Sequence, residues 1–431
     1  MNDHAEPVEP VEQRAEEPQP AAKHRRPVDR RSFLAIAGLT TVGVVWAANS
    51  AGSPAARAAT TPDPCGSSSP TPTPSPTPSG GGTGTFVVPI DSARHTCTWM
   101  AWPDDPTIWT GGSGGRRGGS SPSVAQIQSN IARVANTIAK YEPVIMCANP
   151  ASAASARAAC TNANVTVITS IPVNDCWMRD SGPVFRTNGA GGVDAVGLNF
   201  NGWGGQQTVT NDAHVAAAVA AYAGVPFTAA GFVSEGGAIE NDGLGTLMAT
   251  KSSIIDPKRN PNMTQAQLEA AMCAAYGASK VIWFTGISGQ DITNDHVDAT
   301  SRFVGAGTAL VQTPNPADPS DIWSNDEQQQ YNMLSASTNA KGAAMQVTKL
   351  QAPDYNYIRQ TSSSFVDSYA NYYVCNGAVI SAQFGDATGD ANAKAVLTRM
   401  FPGRVVEQIN IDYIGLGGGG IHCVTQPQPA P

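Results

Sequence analysis

From Phe86 onward the chain alternates short apolar runs with segments of helical period, and the composition never breaks a second time. Val124, Ile127, Ile131, Val134 and Ile138 recur at the spacing of one helix face, with Ser121 or Ser123 placed to cap it. The same periodicity predicts helices over 214–222, 265–276, 321–334 and 391–400. Apolar or β-branched runs predict strands over 86–88, 97–103, 144–146, 165–168, 193–198, 246–250, 281–284, 309–312, 346–350, 378–383 and 404–408. Strands alternating with helices point to an α/β fold. One domain of several small, similar β/α units fits this pattern better than two unrelated domains, although no strict sequence repeat is visible.

The N-terminal part has a different character. Residues 1–28 are polar and rich in Glu and Pro. Asp29-Arg30-Arg31-Ser32-Phe33-Leu34 then precedes an apolar run over 35–48. Twin arginines before such a run resemble a twin-arginine export signal. The run is short for a membrane span, which takes about 20 apolar residues, and Ala56-Arg57-Ala58 offers a small-residue cleavage site. Residues 60–85 are dominated by Pro, Thr, Ser and Gly, a composition that stays extended as a linker. The expected organisation is an export segment over 1–59, the linker over 60–85 and a folded domain over 86–431. A secreted or cell-surface protein handled by the twin-arginine machinery is the corresponding expectation. The net charge of −8 argues against a nucleic-acid partner. Of the eight cysteines, Cys147 and Cys160 are the best candidates for a disulfide, and Cys65 lies in the linker. No CxxC pair or His/Cys cluster has zinc spacing, so neither a metal site nor another cofactor is expected.

Four polar stretches stand beside apolar ones. Asn174 to Pro183 reads as a strand end entering a tight loop, where Asp180 is either a turn cap or a functional carboxylate. Glu235-Gly236-Gly237 is an ordinary turn or a point of close backbone approach. His296 and Asp298, if extended, share a face as a structural pair or as an acid/base beside an anion. The fourth is Gly417 to Gly420, followed by Ile421-His422-Cys423. It comes after an apolar stretch, 409–416, that reads as a buried strand. A glycine run needs a reason, because each glycine costs conformational entropy. Cys423 is either buried packing or a nucleophile.

Trp177-Met178-Arg179-Asp180-Ser181-Gly182-Pro183, Glu235-Gly236-Gly237, His296-Val297-Asp298 and Gly418-Gly419-Gly420-Ile421-His422-Cys423 together resemble the agmatine deiminase and bacterial-type peptidylarginine deiminase family. Trp99-Met100-Ala101-Trp102-Pro103 and Asn201-Gly202-Trp203-Gly204-Gly205 are similar to two further stretches of that family. The resemblance covers essentially all of 86–426. It implies the pentein fold, a five-fold pseudosymmetric α/β propeller with a central active site. It also implies that Cys423 is the nucleophile, His296 the proton donor and acceptor, Glu235 its orienting partner, and Asp180 and Asp298 the two carboxylates that grip a guanidinium. Trp177, Trp102, Trp203, Gly419, Gly420 and Arg179 would then belong to the substrate-binding surface. Carboxylates suit that task because they accept paired, charge-assisted hydrogen bonds from a planar guanidinium.

The implied reaction turns a guanidino group into a ureido group and ammonia, through a covalent thiouronium on the cysteine. The substrate is agmatine, giving N-carbamoylputrescine for putrescine synthesis, or peptidyl-arginine, giving peptidyl-citrulline; export favours the second. Ala238, Glu240 and Asp104-Asp105 depart from the family pattern, and are expected to line the outer pocket. The competing readings are an amidinotransferase of the same superfamily, a cysteine peptidase and a non-catalytic secreted binding module. Oligomeric state is not legible from the sequence.

Overall fold

A computed structural model of the chain describes residues 84–109, 122–362 and 364–431. The expected export segment 1–59, nearly all of the linker 60–85 and the glycine-rich loop 111–119 lie outside the described residues.

Among the described residues the strands form five sheets, and one connectivity recurs in each. A first strand pairs antiparallel with a middle strand, which pairs parallel with a third. The second unit is Val184–Thr187, Val193–Gly197 and Phe227–Ala229. The third is Ile239–Asn241, Thr246–Thr250 and Lys280–Phe284. The fourth is Ser301–Gly305, Thr308–Thr313 and Gln346–Gln351, and the fifth is Tyr373–Cys375, Ala378–Ala382 and Val405–Ile409. In the first unit the middle strand is His95–Ala101, and its antiparallel partner is the last strand of the chain, Gln426–Pro429. Val144–Cys147 is the parallel partner, with Val165–Ile168 added at the edge. The two ends of the folded chain therefore close a ring.

Local sequence explains the recurring parts. Parallel pairs need a crossover, and a helix supplies it each time. Val124–Ile138 starts at Ser123 in a capping box with Gln126, and it buries Ile127, Ile131, Val134 and Ile138. Fully burying each such side chain contributes about 1.5–3 kcal/mol. Gln265–Tyr276 starts at a Thr264–Gln267 capping box and ends where Gly277 turns left-handed at φ 67°. The antiparallel pairs are joined by tight turns. In the second unit Asn188 Oδ1 accepts from the backbone of Ala190 and Gly192, between left-handed Gly189 and Gly191.

Several expectations need correction. The stretch 409–416 is not one strand. It ends the strand Val405–Ile409 and then forms the short helix Asp412–Leu416. Residues 177–183 form a one-turn helix, Met178–Ser181, ahead of the second unit's first strand. Residues 86–88 supply only an isolated bridge, Val87 to Thr187. Cys147 and Cys160 are free thiols, because they pack into different apolar clusters: Cys147 with Cys97 and Trp99, Cys160 with Ile131 and Trp102.

Candidate active site

The junctions between consecutive units carry most of the buried polar side chains that converge in the ring. Asp180 lies between the first and second units, Glu235 between the second and third, and His296 and Asp298 between the third and fourth. Asn371 lies between the fourth and fifth, and His422 and Cys423 where the fifth meets the first. These groups hydrogen-bond or closely approach one another despite wide separation in sequence, which a closed ring achieves by placing its junctions around one centre.

In the first junction Trp177 donates Nε1–H to Asp175 Oδ2 at 2.9 Å, and the following helical turn buries Asp180. Asp180 Oδ1 accepts from the Gly237 backbone N–H at 3.2 Å, and Oδ2 accepts from Trp203 Nε1 at 3.0 Å. Trp203 reaches it from a left-handed backbone, φ 55° and ψ 51°, among left-handed Gly202, Gly204 and Gly205. A bulky residue in that region stores strain, which is retained where the surroundings over-determine it.

In the second junction the 3₁₀ turn Gly236–Ala238 follows Glu235, which is fully buried. Arg259 donates Nε–H to Glu235 at 2.8 Å, and Glu235 Oε2 lies 3.2 Å from His296 Nε2. An ideal Cβ on Gly237 would lie 2.7 Å from His296 Nδ1, 3.0 Å from Asp180 Oδ1 and 3.1 Å from Asp298 Oδ2. Those three side chains thus surround one point against the Gly237 backbone. His296 and Asp298 do not share a strand face. Asn294 and Asp295 turn left-handed, and a 3₁₀ turn over Val297–Ala299 aims both side chains inward.

The glycine run has separate reasons along its length. Gly418 is left-handed at φ 90°. A Cβ on Gly419 would strike the Trp177 ring, and one on Gly420 would strike the Asn371 side chain. Cys423 Sγ then lies 3.7 Å from Asp298 Oδ2 and 3.3 Å from Asn371 Nδ2. Asn371 Oδ1 accepts from the backbone N–H of His422 at 3.0 Å and of Cys423 at 3.4 Å, so one amide fixes the turn and touches the thiol.

The charges fall into a pattern. Burial disfavours the His296 imidazolium, but Asp180 and Glu235 outweigh it and carry its pKa up to about 9. Burial pushes Asp180 up to about 6, opposed by His296. Burial also opposes ionisation of Asp298 and Glu235, yet His422 holds Asp298 low and Arg259 holds Glu235 low. The Cys423 thiol is pushed well above its usual value by burial, then by Asp298 and Asp180. The site is a protonated imidazole and a neutral thiol facing two carboxylates. Asp298 Oδ1 is buried and accepts no hydrogen bond from the described residues.

Two carboxylates arranged in this way suit a compact cation with several N–H donors. The family profile of the Porphyromonas-type peptidyl-arginine deiminase matches residues 87–429. The chain belongs to this deiminase family. It is similar to the agmatine deiminase of Pseudomonas fluorescens, 33% identical over 369 residues, covering 80% of this chain and 96% of that protein. An agmatine deiminase of Pseudomonas aeruginosa matches with the same identity and coverage. Among solved structures, the agmatine deiminase of Enterococcus faecalis superposes with a TM-score of 0.71 at 27% identity, covering 80% of this chain and 96% of that one. The five-unit ring is the pentein fold of these deiminases.

The remaining sequence-derived positions of this deiminase family member fall as follows. Trp177 packs over Gly419, and Trp203 holds Asp180. Trp102 is in the core with Nε1 committed to Ser155 Oγ. Arg179 turns its guanidinium towards Asp91 and the His422 carbonyl. Glu240 borders a small pocket with Asp91, Arg179 and Tyr276. Ala238 is fully buried, and Glu240 accepts from Arg302 Nε at 2.7 Å. Asp104 accepts from Asn149, and Asp105 accepts from Thr107. Sequence reasoning missed Asn371, Arg259, Asp91 and His422. Asn371 sits in a polar run just ahead of the strand Tyr373–Cys375, the same placement that marked the other four stretches.

Proposed function

We propose that this chain hydrolyses agmatine to N-carbamoylputrescine and ammonia, through a covalent intermediate on Cys423. The observation that carries the reading is the convergence of Asp298 Oδ2, Asp180 Oδ1 and His296 Nδ1 on one point against the Gly237 backbone, with Cys423 Sγ 3.7 Å from Asp298 Oδ2. Two carboxylates facing one point supply paired acceptors for a guanidinium. The names of relatives matching over nearly their whole length support agmatine as the substrate.

A guanidinium bound between Asp180 and Asp298 neutralises the two charges that hold the Cys423 proton in place, which favours loss of that proton to solvent and leaves the thiolate. The thiolate attacks the guanidinium carbon and forms a C–S bond. The C–N bond to a terminal nitrogen breaks as His296 gives that nitrogen its proton, releasing ammonia. The resulting thiouronium is attacked by water, whose proton returns to His296. Cleavage of the C–S bond, with the hydroxyl proton of the adduct lost to solvent, then leaves the ureido product and restores the thiolate. Glu235, itself held by Arg259, keeps His296 oriented and stabilises its charge. The twin arginines at 30–31 support action outside the cytoplasm, checked by locating activity in secreted and cell fractions.

The test is ammonia and ureido release from agmatine, free arginine and an arginyl peptide, with Cys423→Ala as the blank. Agmatine is expected to be turned over and the variant to be silent. Turnover of the peptide alone would replace agmatine by a protein substrate. No ammonia from any of the three would refute the deiminase reading.

A further inference from the structure

Asp298 uses its two oxygens differently. Oδ2 faces His422 Nδ1 at 2.7 Å, whereas Oδ1 is the unpartnered atom. His422 is itself held from behind. Its Nε2 faces Asp91 Oδ2 at 2.7 Å, and its backbone N–H is tied to Asn371. A neutral imidazole has a single N–H, so donating to both carboxylates takes hydrogen on both ring nitrogens. Asp91 belongs to none of the five units. It sits in the segment ahead of the first unit, where Val87 is bridged to Thr187 of the second unit and the Val88 N–H donates to the Tyr276 carbonyl.

Asp91 is anchored in turn. Arg302 Nη2 donates to it at 3.0 Å and Arg179 Nη2 at 3.4 Å, while Arg302 Nε donates to Glu240 at 2.7 Å. Glu240 Oε1 also lies 3.9 Å from His422 Nε2. Asp91, Glu240 and His422 have ligand atoms within 4.8 Å of one another, as a metal site would. The Arg302 guanidinium already bonds both carboxylates, so the cation these acids require is part of the chain.

We propose that His422, braced by Asp91, is a positioning residue that holds Asp298 Oδ2 and so fixes the orientation in which the Asp298 carboxylate faces the reacting centre. A carboxylate flips its plane readily when neither oxygen is held. A bond to one oxygen from a buried, doubly anchored imidazole removes that freedom before substrate arrives, which is preorganisation in the ordinary sense. The segment that enters from the linker thereby belongs to the site, although its own side chains touch no substrate. The inference rests on Asp298 being the guanidinium-binding carboxylate of the proposed reaction.

The test uses two substitutions with opposite geometry. In His422→Asn the side-chain amide nitrogen takes the place of Nδ1 and retains a donor to Asp298. In His422→Gln it takes the place of Nε2 and retains the bond to Asp91 alone. The expected result is that His422→Gln raises KM for agmatine at least tenfold with kcat within threefold of wild type, while His422→Asn recovers most of the loss. Crystal structures of both variants provide a readout independent of turnover. The Asp298 carboxylate should be rotated or split in His422→Gln and single in His422→Asn. An unmoved Asp298 in His422→Gln overturns the proposal, and so does equal impairment of the two variants. Wild-type inactivity towards all guanidino substrates would refute the deiminase reading, while the Asp298 geometry would still decide the positioning role.

Discussion

Gly237→Ala tests the convergence of the site by adding one methyl group. The new Cβ would stand 2.7 Å from His296 Nδ1, 3.0 Å from Asp180 Oδ1 and 3.1 Å from Asp298 Oδ2, where ordinary contact begins at 3.4 Å. The three side chains must therefore retreat by a few tenths of an ångström, His296 the most. None is free to do so cheaply. His296 is tied to Glu235, Asp180 to Trp203 and Asp298 to His422. Displacements approaching 1 Å in a reacting geometry cost on the order of 100-fold in rate, and overpacking of this size costs about 1–3 kcal/mol in stability. The expected outcome is a folded protein, by circular dichroism, whose kcat/KM for agmatine is lower by roughly two orders of magnitude. Gly236→Ala is the contrasting control. Its methyl would strike the backbone carbonyl of Arg179, so it should impair folding as well as activity. A Gly237→Ala enzyme with wild-type shape and kcat/KM within threefold of wild type would refute the claim that these three side chains meet at the reacting centre.

Two further outcomes follow from the charges. The proposed mechanism needs Asp180 ionised and His296 protonated in the free enzyme, so kcat/KM should fall as pH drops through about 6 and again as pH rises through about 9; a profile that keeps rising from pH 8 to pH 10 would exclude His296 as the acid. Burial and the two carboxylates hold the Cys423 thiol protonated, and the proposed mechanism has a bound cation release it, so 2-chloroacetamidine should alkylate it at least tenfold faster than 2-chloroacetamide at pH 7. Equal rates, followed by mass spectrometry of the labelled peptide, would count against substrate-assisted ionisation.

The scaffold was legible where local chemistry acts alone. The helix Gln265–Tyr276 and the strand Thr246–Thr250 carry their own boundaries, in the Thr264 cap, Gly277 and a run of buried residues. The stretch 409–416 misleads because its apolar residues satisfy a strand or a helix equally well, and the register of the fifth sheet decides between them. The stretches that carry Cys423, His296, Asp180, Asp298 and Glu235 were legible, and the structure brings those side chains together. Asp91 and Asn371 were not, since each is an unremarkable polar residue until the ring closes, and His422 stood beside Cys423 with nothing local to mark a role. His422 meets Asp91 across 331 positions and Asp298 across 124. No local pattern encodes such a contact, because it is a product of topology.

The pairing of Gln426–Pro429 with His95–Ala101 places the N–H of Ala430 on the carbonyl of Arg94 at 2.7 Å. The termini of the ring are thus neighbours, and any of the five junctions is topologically equivalent as a starting point. A short linker from Pro431 to the segment before Asp91, with new ends opened at the Asn188–Gly191 turn, would give a circular permutant with every sheet intact. In that permutant Cys423 and Asp180 would come from one continuous stretch instead of from opposite ends. The order in which these junction side chains meet during folding would then be rewired without altering a single one of them.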